Sequence, residues 1–572
     1  MKKFLTIALS VAMTGQMLVS CAGSSAQLPV IEKGVALFDN FSYVGNDAFY
    51  RNNPLPSEDS FYTPILPGWY SDPSICTNGE GDYFLVTSTF VYFPGVPIFH
   101  SRDLVNWKQV GYVLSRPSQL VNMQRQHVSG GIFAPAISYN PHNKAYYMVT
   151  TNVGAGNFYV KTQDPFGEWS DPIMLPEVGG IDPSFFFDED GKAYIVNNDE
   201  APNFKAEYDG HRTIRIQEFD WKNDKTVGPR KILVNKGSNP AENPIWIEGP
   251  HVYKINGKYY LMDAEGGTST WHSEVIFRAD SPMGPYKPYK NNPILTQRHL
   301  DPNRDNPITC AGHADLVQAK EGDWWAVFLA CRPINNRFEN LGRETFLLPV
   351  TWTEDGYPLI TQGDEVVPMI QKREGVKREE QVTFGNFSDF EEFNDSILGL
   401  QWHTLRAPAT DLYSLTATPG YLTLKCADVA ASERATPALV ARRMQHHEFE
   451  AQTRMLFNPE TEAEKAGLIL FKDEQHHYFF AFGKKGEEKT ISLIQYAGRE
   501  GIKEIASQVL PNNTKVIDLK VISLGETYTF CYSLNDGKEW TELCNGVDAE
   551  FLSTARCGGF TGTVVGPYAT IK

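Results

Sequence analysis

The chain has 572 residues, with 52 Lys+Arg against 69 Asp+Glu and a net charge of −17. Phosphate neutralisation dominates nucleic-acid affinity, and no Lys/Arg cluster interrupts the acidity, so nucleic acid is set aside as a partner. Charged residues make up 21% and hydrophobics 41%, with 46 Gly and 36 Pro, the profile of a loop-rich globular protein that is neither disordered nor collagenous. At about 100–200 residues per domain the length admits three to five ordinary domains, or fewer large ones. Aromatics reach 12%. Many rings and many carboxylates on a β-rich frame lean towards sugar binding, because rings stack on sugar faces and carboxylates accept from hydroxyls.

Lys2 and Lys3 precede an apolar run from Phe4 to Val19, a positive n-region and short h-region laid out as an export signal. The stretch Leu18-Val19-Ser20-Cys21 resembles a bacterial lipobox. Residues 1–20 are therefore expected to be removed, and Cys21 to carry lipid and anchor the protein to a bacterial membrane, facing the periplasm or the cell surface. Loss of two Lys and no acid takes the net charge from −17 to −19. The small residues Ala22–Gln27 read as a tether, and residues 21–58 as tether and N-terminal extension. Cys76, Cys310, Cys331, Cys426, Cys531, Cys544 and Cys557 remain. They lack zinc spacing, cannot all pair within one chain, and read mostly as small buried hydrophobes.

From residue 59 to 368 one pattern recurs: turn residues, an aromatic, then a β-rich run. The first aromatics are Tyr83, Tyr146, Tyr194, Tyr259 and Trp324, at intervals of about 48–65 residues. That interval suits one four-stranded blade per repeat and predicts an all-β, five-bladed propeller. Residues 369–382 are charged without apolar period and read as a linker. From 383 to 572, short β runs at hairpin spacing predict a β-sandwich of concanavalin-like or jelly-roll type.

Three acids stand just upstream of blade hairpins: Asp72 in Tyr70-Ser71-Asp72-Pro73, Asp182 in Gly180-Ile181-Asp182-Pro183, and Glu248 in Ile247-Glu248-Gly249-Pro250. A propeller brings such positions together at its axis, and the neighbouring prolines stiffen the backbone there. Any one of the three alone would read as a solvated turn residue. Together they suit glycosidic-bond cleavage. One neutral carboxylic acid protonates the leaving oxygen, and an ionised one, about 6.5–9.5 Å away in an inverting enzyme, activates water. A third holds the acid's pKa high by like-charge repulsion.

The segments Leu66–Ser74, Gly131–Pro135, Gly180–Ser184, Glu248–His251 and Leu341–Leu347 resemble the motifs of glycoside hydrolase family 43, and within it the β-xylosidases with a C-terminal sandwich. The resemblance covers about residue 60 to near the end. It implies an exo-acting, inverting enzyme releasing xylose from xylo-oligosaccharides or xylan side chains, with α-L-arabinofuranosides as a second substrate class. By position it implies Asp72 as general base, Glu248 as general acid, Asp182 as pKa modulator, and Arg343 as a contact to the terminal sugar. For Arg343 the competing expectation is an ion pair with Glu344 or a neighbour. Phe90, Tyr92 and Phe93 match an aromatic wall that packs on the sugar, and Phe133 is a further expected sugar contact; relatives commonly carry Trp where Tyr92 and Phe133 stand. His313 matches an axial histidine. Some relatives hold calcium or a water cluster there, and no cofactor is otherwise required. Phe560, in Gly558–Thr563, resembles the tip of a sandwich loop that reaches over the site. The alternatives are an α-L-arabinofuranosidase as the main activity and, from another class, a non-catalytic glycan-binding lipoprotein. A retaining fructan hydrolase is disfavoured because Ser71, not Asn, precedes Asp72. Oligomeric state stays open.

Overall fold

The computed structural model describes residues 28–572, so the expected signal peptide, Cys21 and the expected tether up to Gln27 lie outside the described residues. The body is Ile31–Lys572. Among the described residues no helix is long and apolar enough to cross a membrane.

Five antiparallel sheets form the five expected blades. Their first strands are Ser74–Thr77, Ile132–Asn140, Ile181–Phe187, Glu248–Ile255 and Thr309–Gln318. These pack against one another around the axis, and that of blade five closes on that of blade one. The repeated aromatic runs are the second strands, for example Ala145–Asn152 and Trp324–Cys331, whose residues are almost all buried. A middle strand is covered by a neighbouring blade on each face, which is why it reads as a continuous apolar run rather than an alternating one. Asp315 locks the ring. Its Oδ2 accepts from the Ser74 hydroxyl (2.7 Å) and the Ile75 N–H (2.9 Å) of blade one, and its Oδ1 from the Tyr253 hydroxyl (2.6 Å) of blade four.

The sandwich has two antiparallel sheets enclosing a core that includes Phe38, Trp402, Phe480 and Phe530. The other face of its second sheet, with Ile469, Phe471 and Phe479, shares a hydrophobic cluster with Trp69, Tyr92 and Phe158 of the propeller. Propeller, second sheet and first sheet are thus stacked layers joined by apolar burial.

Two expected boundaries change. The segment 21–58 is not all tether and extension. Val35–Gly45 is an 11-residue strand inside the first sandwich sheet, between Leu422–Lys425 and Glu448–Leu456. Its burial alternates along much of its length because one face meets the core. The stretch 369–382 is docked rather than free. Ile370–Lys372 pairs with Ser60–Tyr62, and the Arg373 guanidinium lies 3.1 Å from Glu321. The seven cysteines beyond Cys21 are unbridged, and Cys76, Cys331 and Cys531 are buried.

Candidate active site

At the axis each blade contributes one residue with left-handed backbone: Asp72 (φ 53°), Ala134 (φ 35°), Asp182 (φ 53°), Gly249 (φ 59°) and His313 (φ 52°). Four of the five precede proline. In blades two to five, the pairing of the first strand with the second shifts register at this point. Such bulges re-aim side chains, and left-handed non-glycine residues cost about 1–3 kcal/mol each, strain that clusters at functional sites. Blade four uses glycine because a Cβ on Gly249 would stand 2.9 Å from the His313 ring. Glu248 therefore enters one residue earlier than its counterparts.

Above this ring lies a cavity of about 380 Å³, within the range of small-ligand sites of about 300–1,000 Å³. Asp72, Asp182, Glu248, Arg343, His313, Phe90, Phe133 and Phe560 all line it. The three acids, more than 60 residues apart in sequence, meet in one pocket as expected.

Their environments differ. Burial alone would raise the Asp72 pKa. The Arg343 guanidinium, His313 and the Ser88 hydroxyl outweigh it and hold the carboxyl below its ordinary value. Arg343 Nη1 donates to Asp72 Oδ1 at 2.9 Å, and Ser88 Oγ to Asp72 Oδ2 at 2.6 Å. Burial and the Asp72 charge push Asp182 up to about 7, although the Gly249 N–H donates to its Oδ2 at 3.3 Å. Burial, Asp182 and Asp72 raise Glu248 well above the carboxylate range, against the pull of Arg343 and Arg212. One pocket thus holds a carboxylate kept ionised and a carboxylic acid kept protonated, as acid–base chemistry requires.

Arg343 does not pair with Glu344. Glu344 is fully buried and accepts from Arg332 Nε and Nη2, at 2.7 and 2.8 Å, and from the Gly68 N–H. Arg343 Nη1 serves Asp72 and the Thr268 hydroxyl (2.8 Å), and its buried Nε has no partner among the described residues. Such a fork suits vicinal hydroxyls.

Phe560 belongs to the sandwich yet sits in the propeller's pocket. It stacks on Phe90 (centroids 6.1 Å, 21°), meets Phe133 edge-on (5.6 Å), and lies 5.2 Å from the Arg343 guanidinium carbon. Its N–H donates to Ser129 Oγ at 2.9 Å. The loop docks by backbone: a Cβ on Gly562 would lie 2.4 Å from the Leu341 carbonyl oxygen, and one on Gly342 2.7 Å from the Gly562 nitrogen.

Tyr92 and Phe93, expected in the aromatic wall, do not line the pocket. Their strand Tyr92–Phe93 pairs with Thr404–Leu405, and the buried Tyr92 ring packs 4.7 Å from Trp69, between propeller and sandwich. Phe90 has φ 54°, so the backbone turns between the two rings and they part company. His313 lies in the pocket with Nδ1 3.8 Å from Asp72 Oδ1, and burial lowers its pKa to about 4, leaving it neutral. The axial cavity beside it is about 10 Å³, room for about one water. Trp246, Thr268 and Ile181 also line the pocket and were not singled out in the sequence. Trp246 could have been found, since it stands two residues before Glu248.

The family model for glycosyl hydrolases family 43 matches residues 61–358. The chain belongs to that family. A second model, the beta xylosidase C-terminal concanavalin A-like domain, matches residues 390–572. The non-reducing end alpha-L-arabinofuranosidase of Bacteroides ovatus is 36% identical over 528 residues, covering 90% of this chain and 92% of that protein. The xylosidase/arabinosidase of Butyrivibrio fibrisolvens is 37% identical over 518 residues, covering 89% and 95%. A crystal structure of a family 43 protein retrieved from capybara gut metagenome superposes with a TM-score of 0.87 at 42% identity, covering 94% of this chain and all of that one. Family 43 membership and the two-domain match agree with the propeller and the sandwich.

Proposed function

We propose that this family 43 glycosidase is an exo-acting, inverting enzyme that removes terminal xylose from xylo-oligosaccharides or xylan side chains, with α-L-arabinofuranosides as a second substrate class. The observation that carries the reading is the opposed pair: Asp72 held ionised and Glu248 held protonated in one pocket. Glu248 gives its proton to the leaving oxygen. Asp72 takes a proton from the water that attacks the sugar from the other face. Asp182 keeps Glu248 protonated by its charge and holds the Gly249 peptide beside it. Arg343 grips hydroxyls of the terminal sugar. Phe560 narrows the mouth, which favours chain ends. The names of the relatives support both pentoses, which share a hydroxyl pattern.

A panel of aryl β-xylosides, aryl α-L-arabinofuranosides and short xylo-oligomers tests this. Asp72→Asn and Glu248→Gln are each expected to lower kcat by about 10²–10⁴, the usual worth of an acid or base. Wild-type turnover in either variant would overturn the assignment. Glycan binding with no cleavage anywhere on the panel would favour a carbohydrate-binding protein instead.

We infer further that Cys21 carries the lipid anchor, supported by Lys2, Lys3, the run Phe4–Val19 and Ser20. Cys21→Ser should move the protein from the membrane fraction to the soluble one. Retention at the membrane would contradict it.

A further inference from the structure

We propose that Trp246 is the platform of the leaving-sugar subsite, taking the pyranose ring that departs when the bond breaks. This rests on the reading of Glu248 as the acid. The pocket's rings are unevenly placed. Phe90, Phe133 and Phe560 form one cluster, with Phe560 lying against Arg343, which holds Asp72. Trp246 also lines the cavity, but it comes from the segment that leads into Glu248. The proton from Glu248 goes to the oxygen joining the two sugars. The acid therefore marks the boundary between them, and the aromatic on its own segment faces the leaving one.

Trp246 is built to hold a fixed position. Its backbone is left-handed (φ 51°), and its N–H donates to the Gly210 carbonyl at 2.8 Å. The Arg212 guanidinium carbon lies 4.2 Å from the centre of its ring, and Arg212 is itself ion-paired with Glu200. On the cavity rim Gly267 offers no side chain; a Cβ there would lie 3.9 Å from Trp246 Cδ1. Ring and guanidinium brace each other, and the indole is only partly buried. A braced, partly open indole beside an acid suits the C–H face of a sugar. Arg212 acts through Trp246 and is a positioning residue.

The test compares two substrates with alcohol leaving groups, both of which need the proton from Glu248. Xylobiose has a leaving ring, and methyl β-xyloside has none. For an enzyme that prefers arabinofuranose, arabinosyl-xylobiose and methyl α-L-arabinofuranoside take their places. Trp246→Ala is expected to lose about tenfold or more in kcat/KM on the ring-bearing substrate, mainly through KM, and to stay within about twofold on the methyl glycoside. Trp246→Phe should recover most of the loss, and it carries the test on the same pair of substrates if the alanine variant does not fold. Equal losses on both substrates, or no loss on xylobiose, would overturn the proposal. A wild-type protein that cleaves none of these glycosides would instead remove the proposed function beneath it.

Discussion

Asp182 neighbours one carboxylate kept ionised and another kept protonated, and its own titration links function to stability. Its folded pKa is about 7, raised first by burial and then by the Asp72 charge. An unfolded aspartate titrates near 3.9. Between about pH 4 and 7 the folded state therefore binds more protons than the unfolded one. Stability falls as pH rises through that window and stays reduced above it, by on the order of a few kcal/mol. Asp182→Asn removes this cost and keeps an acceptor for the Gly249 N–H. Its melting temperature should exceed that of wild type by a few degrees at pH 8, and the gap should shrink at pH 5. Loss of the Asp182 charge also lowers the Glu248 pKa, so the basic limb of the pH–rate profile should shift to lower pH. Equal melting temperatures at pH 8, or an unmoved basic limb, would contradict this account. The three acids were legible in the sequence because they recur at corresponding places. Tyr92 was misassigned because spacing along a strand does not reveal the left-handed turn at Phe90. Thr268 carries no signal of its own until Arg343 is seen bonded to it.

At the scale of elements, the five second strands were read directly, because burial on both faces leaves an uninterrupted apolar run. The strand Val35–Gly45 was missed because its partners, Leu422–Lys425 and Glu448–Leu456, lie about 400 residues away and no hairpin links them. Ile502–Leu510 and Thr541–Asp548 carry little apolar signal in the sequence because much of each is exposed. The loop Gly558–Thr563, by contrast, has sequence signal in its glycines and structural sense in one contact. Gly562 does not adopt a left-handed backbone, so Gly562→Ala tests space alone. Its Cβ would stand 2.4 Å from the Leu341 carbonyl oxygen, so the loop must move and take Phe560 with it. We expect a higher KM for xylobiose and a lower melting temperature. Unchanged values for both would show that the loop does not seat Phe560.

Across the whole molecule, the length is absorbed by two domains, and the active site belongs to both. The propeller supplies the acids and the sandwich supplies Phe560. The sandwich's second sheet is buried against the propeller by the cluster containing Trp69 and Phe479. Of the 69 Asp and Glu residues, three at the axis are assigned the chemistry. High aromatic content, which leaned towards sugar binding, goes largely into the cores of the blades and the sandwich. Phe90, Phe133, Phe560 and Trp246 are the rings that reach the pocket. In the proposed mechanism Asp72 activates water directly rather than attacking the sugar itself. Proton NMR of the sugar released from xylobiose or an aryl β-xyloside, read before mutarotation, tests it most directly. Single displacement predicts α-xylose as the first product, whereas β-xylose appearing first would contradict the account.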